Sequence, residues 1–113
     1  MGQADLKNGS PLMADYTPGS AVTAGDVVVV DDIPCVAHSD IAASELGALA
    51  VGGAIYSCTA DAAIVAGSKV YWDDTNNKVT ETSTSNKIFG HVAPGSSSAA
   101  DGDAIDVIHN PIS

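Results

Sequence analysis

The sequence predicts an all-β fold: one small β-barrel or sandwich of about seven short strands, with an extended N-terminal arm and at most one short helix. Three observations carry this reading. Short β-branched or alternating runs recur from Val27-Val28-Val29-Val30 onward, and Gly, Pro, Asp and Asn punctuate them at turn spacing. No apolar pattern of helical period is sustained anywhere. A length of 113 residues suits one domain. The division expected is an arm over residues 1–20 and a β-rich domain over residues 21–113.

The arm is read from turn chemistry. Asn8-Gly9-Ser10-Pro11 and Thr17-Pro18-Gly19-Ser20 combine Gly, which tolerates positive φ, with Pro, which fixes φ negative. Between them Leu12, Met13 and Tyr16 are apolar enough to pack on this subunit or on another. Val27–Val30 is stiff at χ1 and suits a strand covered on both faces. Ile33-Pro34 is expected to break it, and Cys35-Val36-Ala37 to begin a second strand. Ser39–Gly47 reads as one or two helical turns or as a structured loop. Ala48–Tyr56 reads as a third strand, bent or bulged at Gly52-Gly53.

The clearest hairpin joins Val70-Tyr71-Trp72 to Lys78-Val79-Thr80 through Asp73-Asp74-Thr75-Asn76-Asn77, whose Asp and Asn side chains bond their own backbone. Two further strands fall at Ile88–Ala93 and Ala104–Ile108. In the latter Ile105 and Val107 alternate with Ala104, Asp106 and Ile108, so Asp106 is expected toward solvent. Pro94-Gly95-Ser96-Ser97-Ser98 is a surface loop.

An internal echo runs through these elements. Ala21-Val22-Thr23-Ala24-Gly25-Asp26-Val27-Val28-Val29-Val30 matches Ala63-Ile64-Val65-Ala66-Gly67-Ser68-Lys69-Val70-Tyr71-Trp72 at an offset of 42 residues (Ala21 to Ala63), and each copy ends in an aspartate pair. The pattern is a tight Gly turn feeding an apolar strand into an acidic turn. Two copies suggest a barrel with related halves.

Charge excludes whole classes of function. Fourteen acidic residues face four basic ones, giving −10, and all four are lysines: Lys7, Lys69, Lys78 and Lys87. A field of that sign repels nucleic acid, and without arginine there is no bidentate reading of bases, phosphates or carboxylates. Charged residues are 16% and hydrophobic ones 45%, so the acidity does not signal disorder. The longest apolar run, Leu46–Ile55, is too short to span a bilayer. The first residues lack the basic and apolar regions of a secretory signal. Two cysteines, Cys35 and Cys58, make no disulfide framework, and the chain is expected to be a soluble product of a reducing cytoplasm. Aromatics are only 4% and the apolar content is mainly Ala and Val, so a monomer is expected to be modestly stable and to gain burial by association.

No constellation reads convincingly as chemistry. Asp31-Asp32 and Asp73-Asp74 are sequence neighbours, and neighbours on a strand face opposite ways, which suits turns better than a shared acid/base site. Asp101-Gly102-Asp103 with Asp106 lacks the ligand order of a calcium loop. Cys35-x-x-His38, with Cys58, His91 and His109, offers one short-spaced pair and is read as buried thiols and ordinary histidines rather than zinc ligands. No nucleophile elbow or phosphate loop is present. Trp72 is read as core first and as an interface anchor second, with Tyr71 beside it.

Taken in order, several stretches resemble one family. They are Tyr16-Thr17-Pro18-Gly19-Ser20-Ala21-Val22-Thr23-Ala24-Gly25-Asp26-Val27-Val28; Asp40-Ile41-Ala42-Ala43, followed by Gly47-Ala48-Leu49-Ala50-Val51-x-Gly53; Ala66-Gly67-Ser68-Lys69-Val70-Tyr71-Trp72-Asp73 with Asn77-Lys78-Val79-Thr80; and Gly90 after Lys87-Ile88-Phe89. This set resembles the capsid cement, or head decoration, proteins of tailed bacteriophages from about Tyr16 to Ile108, and departs from their pattern in the first dozen residues. The resemblance implies a virion structural protein, made in the host cytoplasm, that binds as a homotrimer on the outer capsid surface at three-fold positions. There it would tie major capsid subunits together, with no catalytic residue, metal or cofactor. Partner-binding residues expected on the arm and hairpin are Leu12, Met13, Tyr16, Pro18, Tyr71 and Trp72. On this reading, deleting residues 1–15 is expected to spare the fold and abolish shell binding.

Two other classes are weighed. Val22-x-Ala24-Gly25-Asp26-x-Val28 is similar to the turn of biotinyl and lipoyl barrels, which points to a small-molecule carrier or binding module of barrel-sandwich type. The hairpin tip, however, is Asp-Thr-Asn-Asn with Lys78 beyond it. An acidic metal-dependent hydrolase is the second alternative.

Overall fold

A computed structural model describes residues 3–111; Met1 and Gly2 of the expected arm, and Ile112 and Ser113 of the expected domain, lie outside the described residues. Eight strands form one sheet: β1 (Ala4–Tyr16), β2 (Val27–Val30), β3 (Ile33–Ala37), β4 (Gly47–Thr59), β5 (Lys69–Asp73), β6 (Lys78–Thr80), β7 (Lys87–Val92) and β8 (Ala104–His109). The order is β2-β3-β4-β8-β7-β5-β6, with β1 added against β4, and the sheet curls into a half-barrel. No helix occurs among the described residues, and Ser39–Gly47 is a structured loop. The curl brings the ends of the order back on themselves: Val79 of β6 bridges Ala60, just beyond β4, and Lys87 of β7 reaches Asp32 at the β2–β3 tip, 3.4 Å away.

The stretch read as an arm is extended, and it is also a strand of the sheet. β1 pairs antiparallel with β4 from Ala4↔Cys58 to Tyr16↔Gly47, with irregularities around Lys7 and between Gly9 and Met13. The turn chemistry of Asn8–Pro11 therefore makes bulges in a long strand rather than an exit from structure. β4 is the organising element. Ala50 pairs with both Met13 and Val36, while Tyr56 pairs with both Leu6 and Val107. β1 thus runs along one edge of β4, while β3 and then β8 share the other. The handover falls at Gly52 and Gly53, both at positive φ (153° and 89°), which bend the strand there.

β2 and β3 correct one boundary. Asp31 and Asp32 both take positive φ (51° and 67°), a two-residue turn whose twist matches the flanking strands, so β3 begins at Ile33 rather than after Pro34. In such a hairpin Val30↔Ile33 closes the loop with hydrogen bonds, and the next pair, Val29↔Pro34, is a non-hydrogen-bonded one. Pro34 therefore needs no N–H toward β2, and β4 pairs with β3 only at Val36 and Ala37. The proline is accommodated without a lost bond.

The internal echo is structural. Gly25 N–H donates to the Ala37 carbonyl (2.7 Å) and Gly67 N–H to the Val92 carbonyl (3.0 Å); Ala37 N–H returns to Asp26 (2.9 Å) and Val92 N–H to Ser68 (2.9 Å). Val22 and Ile64 each make the isolated bridge before the turn. The strand order reads β2-β3-β4 and then the equivalents in reverse, β8-β7-β5, so the half-barrel has two related halves.

The core is built around a row of rings. Trp72, Phe89, His109, Tyr56 and His38 form a line with successive centroids 5.8, 4.7, 5.5 and 5.7 Å apart. Tyr56, Trp72, Phe89 and His109 are buried among Val36, Val70, Val79, Val107 and neighbouring small residues. A chain poor in aromatics places three of its five in one contiguous core, where ring edges and faces pack between Ala and Val. A second cluster, built on Val22, Cys35, Ala37, Ile41 and Leu49, is only partly covered, and half-buried Tyr16, Val28, Val30, Ile33 and Val51 pack against it.

Candidate functional site

The residues singled out for partner binding separate into three situations. Leu12 and Met13 stand out from β1, 71% and 41% exposed, and Leu6 on the same strand is 48% exposed. β1 pairs only with β4, so its outer edge carries no strand among the described residues. Tyr16, at the end of β1, is half-buried, and Pro18 is buried, its carbonyl accepting from Ser44 N–H at 2.8 Å. Trp72 is 1% exposed and lies in the core; Tyr71 on the opposite face of β5 is half-buried with Lys69 Nζ 6.0 Å from its ring centroid.

The strand and the hairpin do converge, but through a different residue. A cavity of about 300 Å³ is lined by Tyr16 and Pro18, by Val28 of β2, and by Asp74 of the β5–β6 turn. The indole N–H of Trp72 donates to Asp74 Oδ1 at 3.1 Å, so Trp72 acts from the core to hold that carboxylate at the cavity. A second cavity of about 250 Å³ lies where Tyr16 meets Val30, Ile33, Leu49 and Val51, with Asp15 and Asp31 also lining it. Tyr16 borders both.

The acidic motifs are occupied by structural tasks. Asp73 accepts from Thr75 N–H (3.0 Å), Asn76 N–H (3.2 Å) and Asn76 Nδ2 (2.9 Å); the Asn76 amide foremost holds its carboxyl below the usual range. Asp103 accepts from the N–H groups of Ala99 and Ala100, and Asp101 pairs with Lys78 at 2.6 Å. Lys78, the lysine nearest the hairpin tip, is therefore tied back to the loop before β8. Among the described residues no three His, Cys, Asp or Glu side chains come together as a metal-binding group.

Both cysteines are buried free thiols. Burial, and secondarily Asp31, pushes the Cys35 thiol up; burial does so more strongly at Cys58. Sequence reasoning passed over the polar pair inside the core. Tyr56 Oη and His38 Nε2 are 2.6 Å apart, and His109 Nε2 donates to the Pro34 carbonyl at 2.7 Å. Burial lowers the His109 pKa, the Pro34 bond opposing it in part. The parity of β8 held the signal: His109 continues the inward set of Ile105 and Val107, one residue past the strand end expected at Ile108.

A surface of exposed aliphatic side chains on an open strand edge, with small acid-lined grooves beside it, suits docking to another protein better than catalysis. A family model described as phage cement protein matches residues 7–109, which carries the likeness back from Tyr16 into β1. No curated protein and no solved structure matches the chain. The chain belongs to the phage cement protein family, the structural proteins of the phage virion that associate with its capsid.

Proposed function

We propose that this cement protein binds the outer surface of the assembled capsid as a homotrimer at three-fold positions, tying neighbouring major capsid subunits together without catalysing any reaction. β1 carries the reading: of the five large apolar side chains exposed among the described residues, three, Leu6, Leu12 and Met13, lie on this one strand, whose outer edge no described strand covers. An edge of this kind adds a strand from, or to, a neighbouring chain, with main-chain bonds giving affinity and side-chain pockets giving selectivity. The net charge of −10 keeps such a component off the enclosed genome. A trimer matched to a local three-fold engages three equivalent contacts together, so individually weak contacts become durable through effective concentration.

Light scattering on the purified protein is expected to return the mass of a trimer. Incubation with undecorated shells of the source phage should then give density at three-fold positions on the outside, and shells that resist heating better than bare ones. A monomer that leaves shells bare under all conditions would overturn the reading.

A further inference from the structure

The second cavity has a composition that selects its occupant. Tyr16, Val30, Ile33, Leu49 and Val51 wall it, and they extend the partly covered cluster on the outer side of the sheet. Asp15, from β1, and Asp31, from the β2–β3 turn, line the same cavity and are exposed. Its two carboxylates are not neutralised among the described residues: the adjacent Asp32 is paired with Lys87, while neither Asp15 nor Asp31 has an ion-pair partner there.

We infer that this groove takes a lysine- or arginine-bearing segment of a partner chain, the aliphatic stem lying on the apolar walls and the cationic head meeting Asp15 and Asp31. Long cationic side chains bury their methylenes on apolar surface while keeping the head at a polar mouth, which is the arrangement on offer. The volume, about 250 Å³, falls below that of sites for cofactors and drug-sized ligands, roughly 300–1,000 Å³, and suits a side chain inserted from a protein surface.

Charge identifies which protein. A second copy of this chain has no arginine and only four lysines. Lys7 lies 3.7 Å from Asp106, Lys78 2.6 Å from Asp101 and Lys87 3.4 Å from Asp32, while Lys69 lies against Tyr71. Each lysine of a second copy already lies against a group of its own subunit, and two chains of −10 repel. The occupant is a chain of different sequence with a basic surface. Resting on the cement reading, that chain is the shell subunit, and the groove is where it supplies the cations this protein lacks.

The test compares shell binding by the full-length wild type, the double variant D15N/D31N and a control pair, D61N/E81Q, which changes net charge equally away from the groove. All three proteins are read on undecorated shells of the source phage across a salt series, with thermal melts to verify folding. Expected is about tenfold weaker binding for D15N/D31N, with a flatter salt dependence, and wild-type behaviour for the control. Equal binding by D15N/D31N and wild type overturns the groove and leaves the cement reading standing. A change in oligomeric mass without a change in shell binding assigns the groove to a second copy and also overturns it. Failure of the wild type itself to bind at any salt overturns the cement reading, and the partner assigned to the groove with it.

Discussion

His109 Nε2 donates to the Pro34 carbonyl at 2.7 Å, linking the last strand of the sheet to β3. The two strands do not pair: β3 and β8 occupy successive stretches of the same edge of β4. Pro34 points its carbonyl away from β2 at a non-hydrogen-bonded position, and the imidazole satisfies it. Because a carbonyl only accepts, Nε2 carries the proton and Nδ1 is a bare, buried lone pair with no partner among the described residues.

Stability is expected to fall as pH drops below about 6.5. Burial lowers the His109 pKa in the fold from its ordinary 6.5. The unfolded chain therefore binds the proton first. The stabilising contribution is complete above 6.5 and is lost as pH falls from there to the lower folded-state value, below which this group adds no further slope. Urea titrations at pH 7, 6 and 5 read it. In His109→Gln the loss between pH 7 and 5 should shrink; an unchanged loss would show that the decline comes from other groups.

Gly90→Ala is expected to cost about 3 kcal/mol or more. Gly90 sits at φ 157° opposite Val70, where Phe89 bulges inward, and a Cβ there would collide with the Ile108 carbonyl. The clash is with backbone, so no side-chain rotation relieves it. Denaturant unfolding checks this, and a cost under about 1 kcal/mol would mean that β7 and β8 can separate locally.

Asp32→Gly is expected to stabilise the fold by about 0.5–1 kcal/mol. Asp32 holds φ 67° in the β2–β3 turn, a conformation glycine adopts without a Cβ penalty. The Lys87 contact that it forfeits is at the surface, with the Asp32 side chain 79% exposed, and is worth little. A lower unfolding midpoint would mean that this ion pair matters more than the turn strain.

Leu12→Asp is expected to change unfolding free energy by less than about 0.5 kcal/mol while reducing shell occupancy severalfold. Removal of residues 1–15 should do something different from what an unstructured arm would allow. It strips β1 from β4 and uncovers a core that includes Ala4, so the truncated chain should melt earlier as well as fail to bind. Melting curves beside shell sedimentation separate the two effects.

The sequence by itself determined what depends on neighbours in the chain. Period-two alternation at Ile105 and Val107, the β-branched run Val27–Val30, and the Asp/Asn turn at Asp73–Asn77 specify strands and hairpins within a few residues. The Gly25 and Gly67 turns could be matched because both copies are contiguous. The excess of carboxylates argued against nucleic acid before any coordinate was needed. Pairing between distant segments was decided only by the tertiary structure, because it rests on backbone bonds that any residue but proline can make. Hence β1 reads as an arm until β4 is seen to lie along it, and His109 reads as an ordinary histidine until Pro34 arrives from 75 residues away. The groove at Asp15 and Asp31 depends likewise on the curl, which joins β1 to the β2–β3 turn. Local chemistry selected the strands; the closing of one curled sheet decided which side chains meet at its surface.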